Sequence, residues 1–230
     1  MTIDADGWFD WMIRDPGPLS KTNGGVNTCK IVVPHSAEGY WPHLQELLHS
    51  EKRRASWMFS NLKDGRCFQH YSICAQVWGS GSGYPNNNGV MWENEGVAGE
   101  PLTDRQNDNN IRIIREVSTL KGWKLSRPTS VTDKSATGYE HNECTRWGST
   151  YSECPSGRIP WDLYLKVLNA EEDMAAIQLV WSFENSRLYV LGQGDPRWIA
   201  DAATAAELEK AYGKPTVALS WKALQSLGAK

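Results

Sequence analysis

Three side chains suited to holding a metal lie far apart along this chain. His35 ends the apolar run Ile31-Val32-Val33-Pro34. His141 sits in Gly138-Tyr139-Glu140-His141-Asn142-Glu143, and Cys154 heads Cys154-Pro155-Ser156-Gly157-Arg158-Ile159-Pro160-Trp161. A zinc finger brings its ligands within a few residues of one another; here more than a hundred residues part the first two. Ligands this dispersed meet only after a sizeable domain has folded, so a metal held by them would serve chemistry rather than folding. Two imidazoles and a thiolate fill three tetrahedral positions of zinc and leave the fourth for water, the pattern of catalytic sites. Each residue alone carries a blander reading. A single histidine is more often a hydrogen-bonded structural residue, which is how His43, His49 and His70 are read, and a single cysteine is more often a buried thiol.

Composition narrows the field. The 230 residues, 40% of them hydrophobic, suffice for one large domain or a medium domain with a small module. A net charge of -3 leaves no electrostatic footprint for nucleic acid. No apolar run reaches membrane-spanning length, and Met1–Gly7 lacks the basic and apolar regions of a secretory signal, so neither membrane insertion nor a signal peptide is expected. Five cysteines at irregular spacing do not make a disulfide framework. Twelve tryptophans are the oddity; core filling is the expected role of most, with a minority lining a groove.

Residues 1–28 read as an irregular arm whose aromatics, Trp8, Phe9 and Trp11, pack on the domain. Cys29–Pro34 reads as a buried strand with His35 at its C-terminal end, and Tyr40–His49 as a helix with Leu44, Leu47 and Leu48 on one face. Ala55–Ser60 and Arg66–Tyr71 read as strands around the Lys63-Asp64-Gly65 turn. Gly79–Gly89 is a loop by composition, and Gly89–Asn94 a strand. Thr103 and Gln106 form a capping box that opens a helix to about Lys121, with Ile111, Ile114, Val117 and Leu120 as its apolar stripe. Leu125–Thr137 is loop-like, and Trp161–Leu168 a closing helix. Composition shifts near Asn169–Asp173. Strand-like runs follow at Ala176–Phe183 and Arg187–Leu191, then helices capped by Thr204 and Ser220.

The segment from Ile31 to Trp161 resembles the zinc-dependent N-acetylmuramoyl-L-alanine amidases related to peptidoglycan recognition proteins, bacteriophage endolysins among them. The resemblance is carried by Val32-Val33-Pro34-His35, Ser56-Trp57-Met58-Phe59-Ser60, Lys63-Asp64-Gly65-Arg66, Gln69, Val90-Met91-Trp92-Glu93-Asn94-Glu95-Gly96, His141 and Cys154-Pro155, in that order. It implies an α/β fold with a central mixed β-sheet flanked by helices, as a zinc amidase domain over residues 1–168. Residues 175–230 form a small αβ module beyond it, a candidate for cell-wall binding.

The same resemblance implies zinc on His35, His141 and Cys154 and hydrolysis of the amide between N-acetylmuramic acid and L-alanine in bacterial peptidoglycan. Glu93 then matches the acid–base carboxylate, with Glu95 as the alternative on the same side of the strand. Two positions depart from the family. Trp57-Met58 stands where some members have Tyr-His, and Ser152 where a Lys is frequent; Ser152, Thr150 or Arg158 could stand in for that Lys. Trp78, Tyr84 and Asn88 are candidate groove residues. An endolysin made in the host cytoplasm without a signal peptide and released onto the wall fits these expectations. A non-catalytic peptidoglycan-binding module and a wall-contacting structural phage protein are the alternatives, and retention of Cys154 argues against the first.

Overall fold

The computed structural model describes residues 3–175 and, beyond them, 178–182, 187–191, 197–198 and 217–219, with side chains described as far as 168. The chain divides into two compact units, Met1–Leu165 and Lys166–Lys230.

The first unit is built on five strands: β1 (Ile13–Arg14), β3 (Ile31–Ser36), β4 (Phe59–Asn61), β5 (Cys67–Gln69) and β7 (Gly89–Asn94). Their order is β1-β5-β4-β7-β3. β7 pairs in parallel with both β3 and β4, while β4 and β5 form the antiparallel hairpin predicted around Asp64-Gly65. β2 (Thr22–Val26) and β6 (Ala75–Val77) make a separate two-stranded ribbon. The middle of the sheet is buried on both faces: all six residues of β3 are buried, and so are Val90, Met91 and Trp92 of β7. Continuous apolar runs of this kind are what parallel strands covered on both sides require.

Helix α1 (His43–His49) buries Leu44 and Leu48. Its C-terminal carbonyls are capped from outside: the buried Lys21 Nζ donates to the carbonyls of Leu47, Leu48 and Ser50 at 2.7–3.0 Å. A cation there satisfies orphan carbonyls and the helix dipole together. The stretch predicted as a loop around Gly79–Gly89 contains α2 (Gly83–Asn88). Its Asn side chains bond locally, Asn88 Nδ2 to the Tyr84 carbonyl and Asn86 Oδ1 from the Ser80 amide, and Pro85 lies in the first turn, where its missing N–H is harmless.

α3 (Asp104–Lys121) starts on the predicted capping box, Thr103 Oγ1 accepting from Gln106 N and Gln106 Oε1 from Thr103 N, and ends on left-handed Gly122. Its buried stripe is Ile111, Ile113, Ile114 and Val117. Leu120, expected in the stripe, is exposed, because it lies in the last turn. Under α3 runs a fully buried amide network. Asn61 Nδ2 reaches Asn94 Oδ1 and Asn110 Oδ1, Asn94 Nδ2 holds the His35 carbonyl, and Trp92 Nε1 donates to Asn110 Oδ1 at 2.7 Å. These bonds tie the C-terminal ends of β3, β4 and β7 to one helix.

A short 3₁₀ segment (His141–Trp147) and α4 (Trp161–Ala175) complete the elements before the second unit's strands; α4 is longer than the predicted Trp161–Leu168. No tryptophan of the first unit is exposed, in keeping with the core-filling role expected of most. Of the nine in the first unit only Trp57, Trp92 and Trp161 are buried. Trp8, Trp11 and Trp78 stay half-buried beneath the guanidinium groups of Arg14, Arg112 and Arg54, which keeps the ring faces partly covered.

In the second unit, β8 (Gln178–Ser182), β9 (Arg187–Leu191), β10 (Arg197–Trp198) and β11 (Val217–Leu219) form a sheet of order β10-β9-β8-β11. The helices predicted from Thr204 and Ser220 fall outside the described residues. No helix among the described residues is long and apolar enough to cross a membrane.

Candidate metal and acid–base site

The parallel ladder sets up the site. His35 on β3 pairs in register with Glu93 on β7, and Glu93 with Ser60 on β4, so the three side chains stand in one row across one face. His141 arrives from the 3₁₀ segment, where Glu140 and Glu143 bond reciprocally and the Asn142 amide donates to the Cys154 carbonyl at 2.9 Å. That bond brings the second histidine and the cysteine loop together.

The ligand atoms of His35, His141 and Cys154 all lie within 4.8 Å of one another, and the two imidazole centroids are 4.7 Å apart. His35 Nδ1 is 3.6 Å from Cys154 Sγ. Zinc with nitrogen at about 2.0 Å and sulfur at about 2.3 Å in tetrahedral geometry sets that edge at about 3.5 Å. The His35 ring is buried, yet its Nε2 has no hydrogen-bond partner, so no structural hydrogen bond at that nitrogen accounts for the burial. Cys154 Sγ accepts from the Ser36 amide at 3.2 Å, a bond that favours a thiolate. The donor set and the spacing therefore fit a tetrahedral N₂S zinc site.

Without a cation the electrostatics favour neutral forms. Burial, and then the neighbouring His141, hold His35 well below the usual imidazole range. Burial lowers His141 too, opposed by a bond to the Ser80 carbonyl. Burial, and then the charge of Glu93, push the Cys154 thiol up. Neutral imidazoles are ready to ligate; the thiol must lose its proton to a metal.

Glu93 Oε1 is 3.9 Å from His35 Nδ1, and Oε2 is buried with no partner. Burial first, then the charge of Glu38, raise this carboxyl from 4.5 to about 8, with Arg158 opposing. Its side chain keeps 16% exposure. It opens on a cavity of about 110 Å³ lined by Leu44, Leu47, Arg53, Ala55 and Trp57. Glu95 is differently employed: its two oxygens accept the Trp41 and Lys63 amides at 2.9 and 2.8 Å, which closes loops around the end of β7.

The remaining candidates spread out. Arg158 is buried and spends its guanidinium on Ser36 Oγ and the carbonyls of Asn94, Glu95 and Glu100, so it is a structural clamp behind the cysteine loop. Ser152 Oγ accepts the Cys154 amide at 3.2 Å. Trp78 is half-buried beneath Arg54, and Tyr84 stacks on Trp147 at 4.8 Å. Asn88 bonds Thr28 and the Tyr84 carbonyl. Sequence reading missed Leu44 and Leu47 of α1, and Arg53 beyond its end, as co-lining residues with Glu93, since only tertiary packing brings them there.

No family model and no curated protein matches the sequence. Solved structures do. A structure of PlyL shares 12% identity over 68% of this chain and 96% of its own, with a TM-score of 0.52. A mutant endolysin from Bacillus subtilis shares 16% over 68% and 97%, also at 0.52. A selenomethionine derivative of AmpD shares 16% over 73% and 99%, at 0.51. At these identities the likeness establishes architecture, and the chain has the mixed-sheet α/β fold of the PlyL, AmpD and Bacillus subtilis endolysin structures.

Proposed function

We propose that this chain is a zinc-dependent N-acetylmuramoyl-L-alanine amidase that acts on bacterial peptidoglycan as an endolysin. One observation carries the reading: His35 converges with His141 and Cys154, a pair more than a hundred residues further along the chain, at the spacing of a tetrahedral site, in a fold shared with an endolysin. His35, His141 and Cys154 would hold the ion. Zinc there would supply Lewis acidity, polarising a carbonyl and acidifying water.

The protein's own groups would handle the protons. Burial raises the Glu93 carboxyl in the metal-free protein; beside a zinc ion it would be pulled back down, leaving a carboxylate able to accept a proton. It takes a proton from the attacking water and returns one to the leaving amine. No protein donor holds the Glu93 Oε2, so the carboxylate is not tied up in a structural hydrogen bond there. The C-terminal module, residues 175–230, would serve wall attachment, where tethering raises residence without changing the chemistry.

The test is metal analysis of purified wild type beside Cys154→Ser and His35→Ala. About one zinc per chain in wild type, and its loss in both variants, is expected for a three-ligand site. Wild type that takes up no zinc, or variants that retain it, would end the reading.

A further inference from the structure

We propose that Ser60 and His70 are positioning residues: they hold the Trp57 indole as an apolar wall of the substrate cavity beside Glu93. This builds on the acid–base reading of Glu93. Trp57 is 6% exposed, and its Nε1–H donates to Ser60 Oγ at 2.9 Å. Ser60 Oγ is 2.8 Å from His70 Nε2, and both residues are buried. His70 Nδ1 is 2.9 Å from the Asp15 carbonyl, which can only accept, so Nδ1 carries the proton. In the neutral ring Nε2 is then the acceptor for the Ser60 hydroxyl. The polarity runs one way, from indole to hydroxyl to imidazole to carbonyl.

The far end is anchored as well. The Asp15 carboxylate lies 3.4 Å from His70 Nδ1 and is held by Gln45 and His49. Serine, histidine and aspartate in a row suggest a nucleophile, but this hydroxyl is buried and already both donates and accepts, so it is a strut. The near end is at the site: Ser60 is the ladder neighbour of Glu93, and Trp57 shares with Glu93 the lining of the 110 Å³ cavity. Removing the Ser60 hydroxyl leaves the buried indole N–H without its acceptor, so the ring loses the bond that fixes its orientation. With Ala37, Leu44, Leu47 and Ala55 as its other apolar lining and Arg53 as its one cation, the cavity suits a small aliphatic group of the substrate next to the bond that Glu93 serves.

The test combines kinetics on a soluble muramyl peptide with nitrogen–proton NMR. Ser60→Ala and Trp57→Phe should each raise KM by about 3–10-fold, with kcat within about threefold and zinc content unchanged. The double variant should be no worse than either, because one interaction is lost in all three. Independently of turnover, the indole N–H that disappears in Trp57→Phe should exchange slowly in wild type and much faster in Ser60→Ala. His70 should show a protonated Nδ1. Unchanged indole exchange, additive effects, or a fall in kcat with KM unmoved would overturn the proposal. If Ser60→Ala does not fold, the His70 nitrogen shifts and the KM of Trp57→Phe decide it. Wild type that turns over no muramyl peptide sinks the amidase reading, and the indole exchange then decides the positioning claim alone.

Discussion

Glu93→Gln should make the metal-free protein more stable as it removes its activity. The ordinary glutamate value is 4.5, and burial carries this carboxyl to about 8. Between those values the folded protein holds a proton that the unfolded chain has released. Stability therefore falls as pH rises through the window, by about 1.4 kcal/mol per unit. At pH 5 the loss is under about 1 kcal/mol; at pH 7.5 it is roughly 3–4 kcal/mol, somewhat less given the water admitted by the cavity. Glutamine is nearly the same shape and has no proton to lose. In chelator, urea unfolding followed by tryptophan fluorescence should show variant and wild type nearly equal at pH 5. The variant should be more stable by about 2–4 kcal/mol at pH 7.5. Turnover of the zinc-loaded variant should drop by about 10²-fold or more, the scale of a positioned acid–base group. A stability difference independent of pH, or a variant weaker at pH 7.5, would refute the burial argument. Full activity would move the proton work elsewhere.

Three further outcomes follow from the same structure. Lys21→Met should cost about 3 kcal/mol in denaturant unfolding, since it strips a cation from three helix-end carbonyls. The Asp15 carboxyl is held below the usual range, first by the His70 hydrogen bond, so its stabilisation is complete above about pH 4 and is lost as pH falls further; Asp15→Asn should be less stable than wild type at pH 6, with the gap closing toward pH 2 in acid melts. A chain ending at Ala175, which keeps all of α4, should cleave a soluble muropeptide yet bind intact wall less well; an insoluble or zinc-free product would mean that the second unit supports the fold instead.

Much of the architecture was legible because local signals agreed with tertiary demands. Gly89–Asn94 was predicted as a strand and is one, and the Thr103–Gln106 capping box starts α3 where expected. The convergence of His35, His141 and Cys154 was legible because each stands in a short stretch with a distinctive neighbour. What escaped depended on packing between distant segments. α2 looks like a loop because its Asn and Gly content is typical of turns, while its bonds to residues such as Asn27, Thr28 and Ser80 are invisible in the sequence. Arg158 looked like a reaching cation, but four acceptors gathered from three segments consume it. Ser60 and His70 meet across a hairpin, and no spacing rule distinguishes that pair from any other.

The measurement closest to the central claim is product analysis of purified peptidoglycan treated with this protein, with and without a chelator. The account predicts new L-alanine amino termini with no rise in reducing sugar ends, release that stops in chelator, and release that returns on adding zinc. New reducing ends in place of amino termini, or release that continues undiminished in chelator after the protein has been shown to be zinc-free, would contradict it.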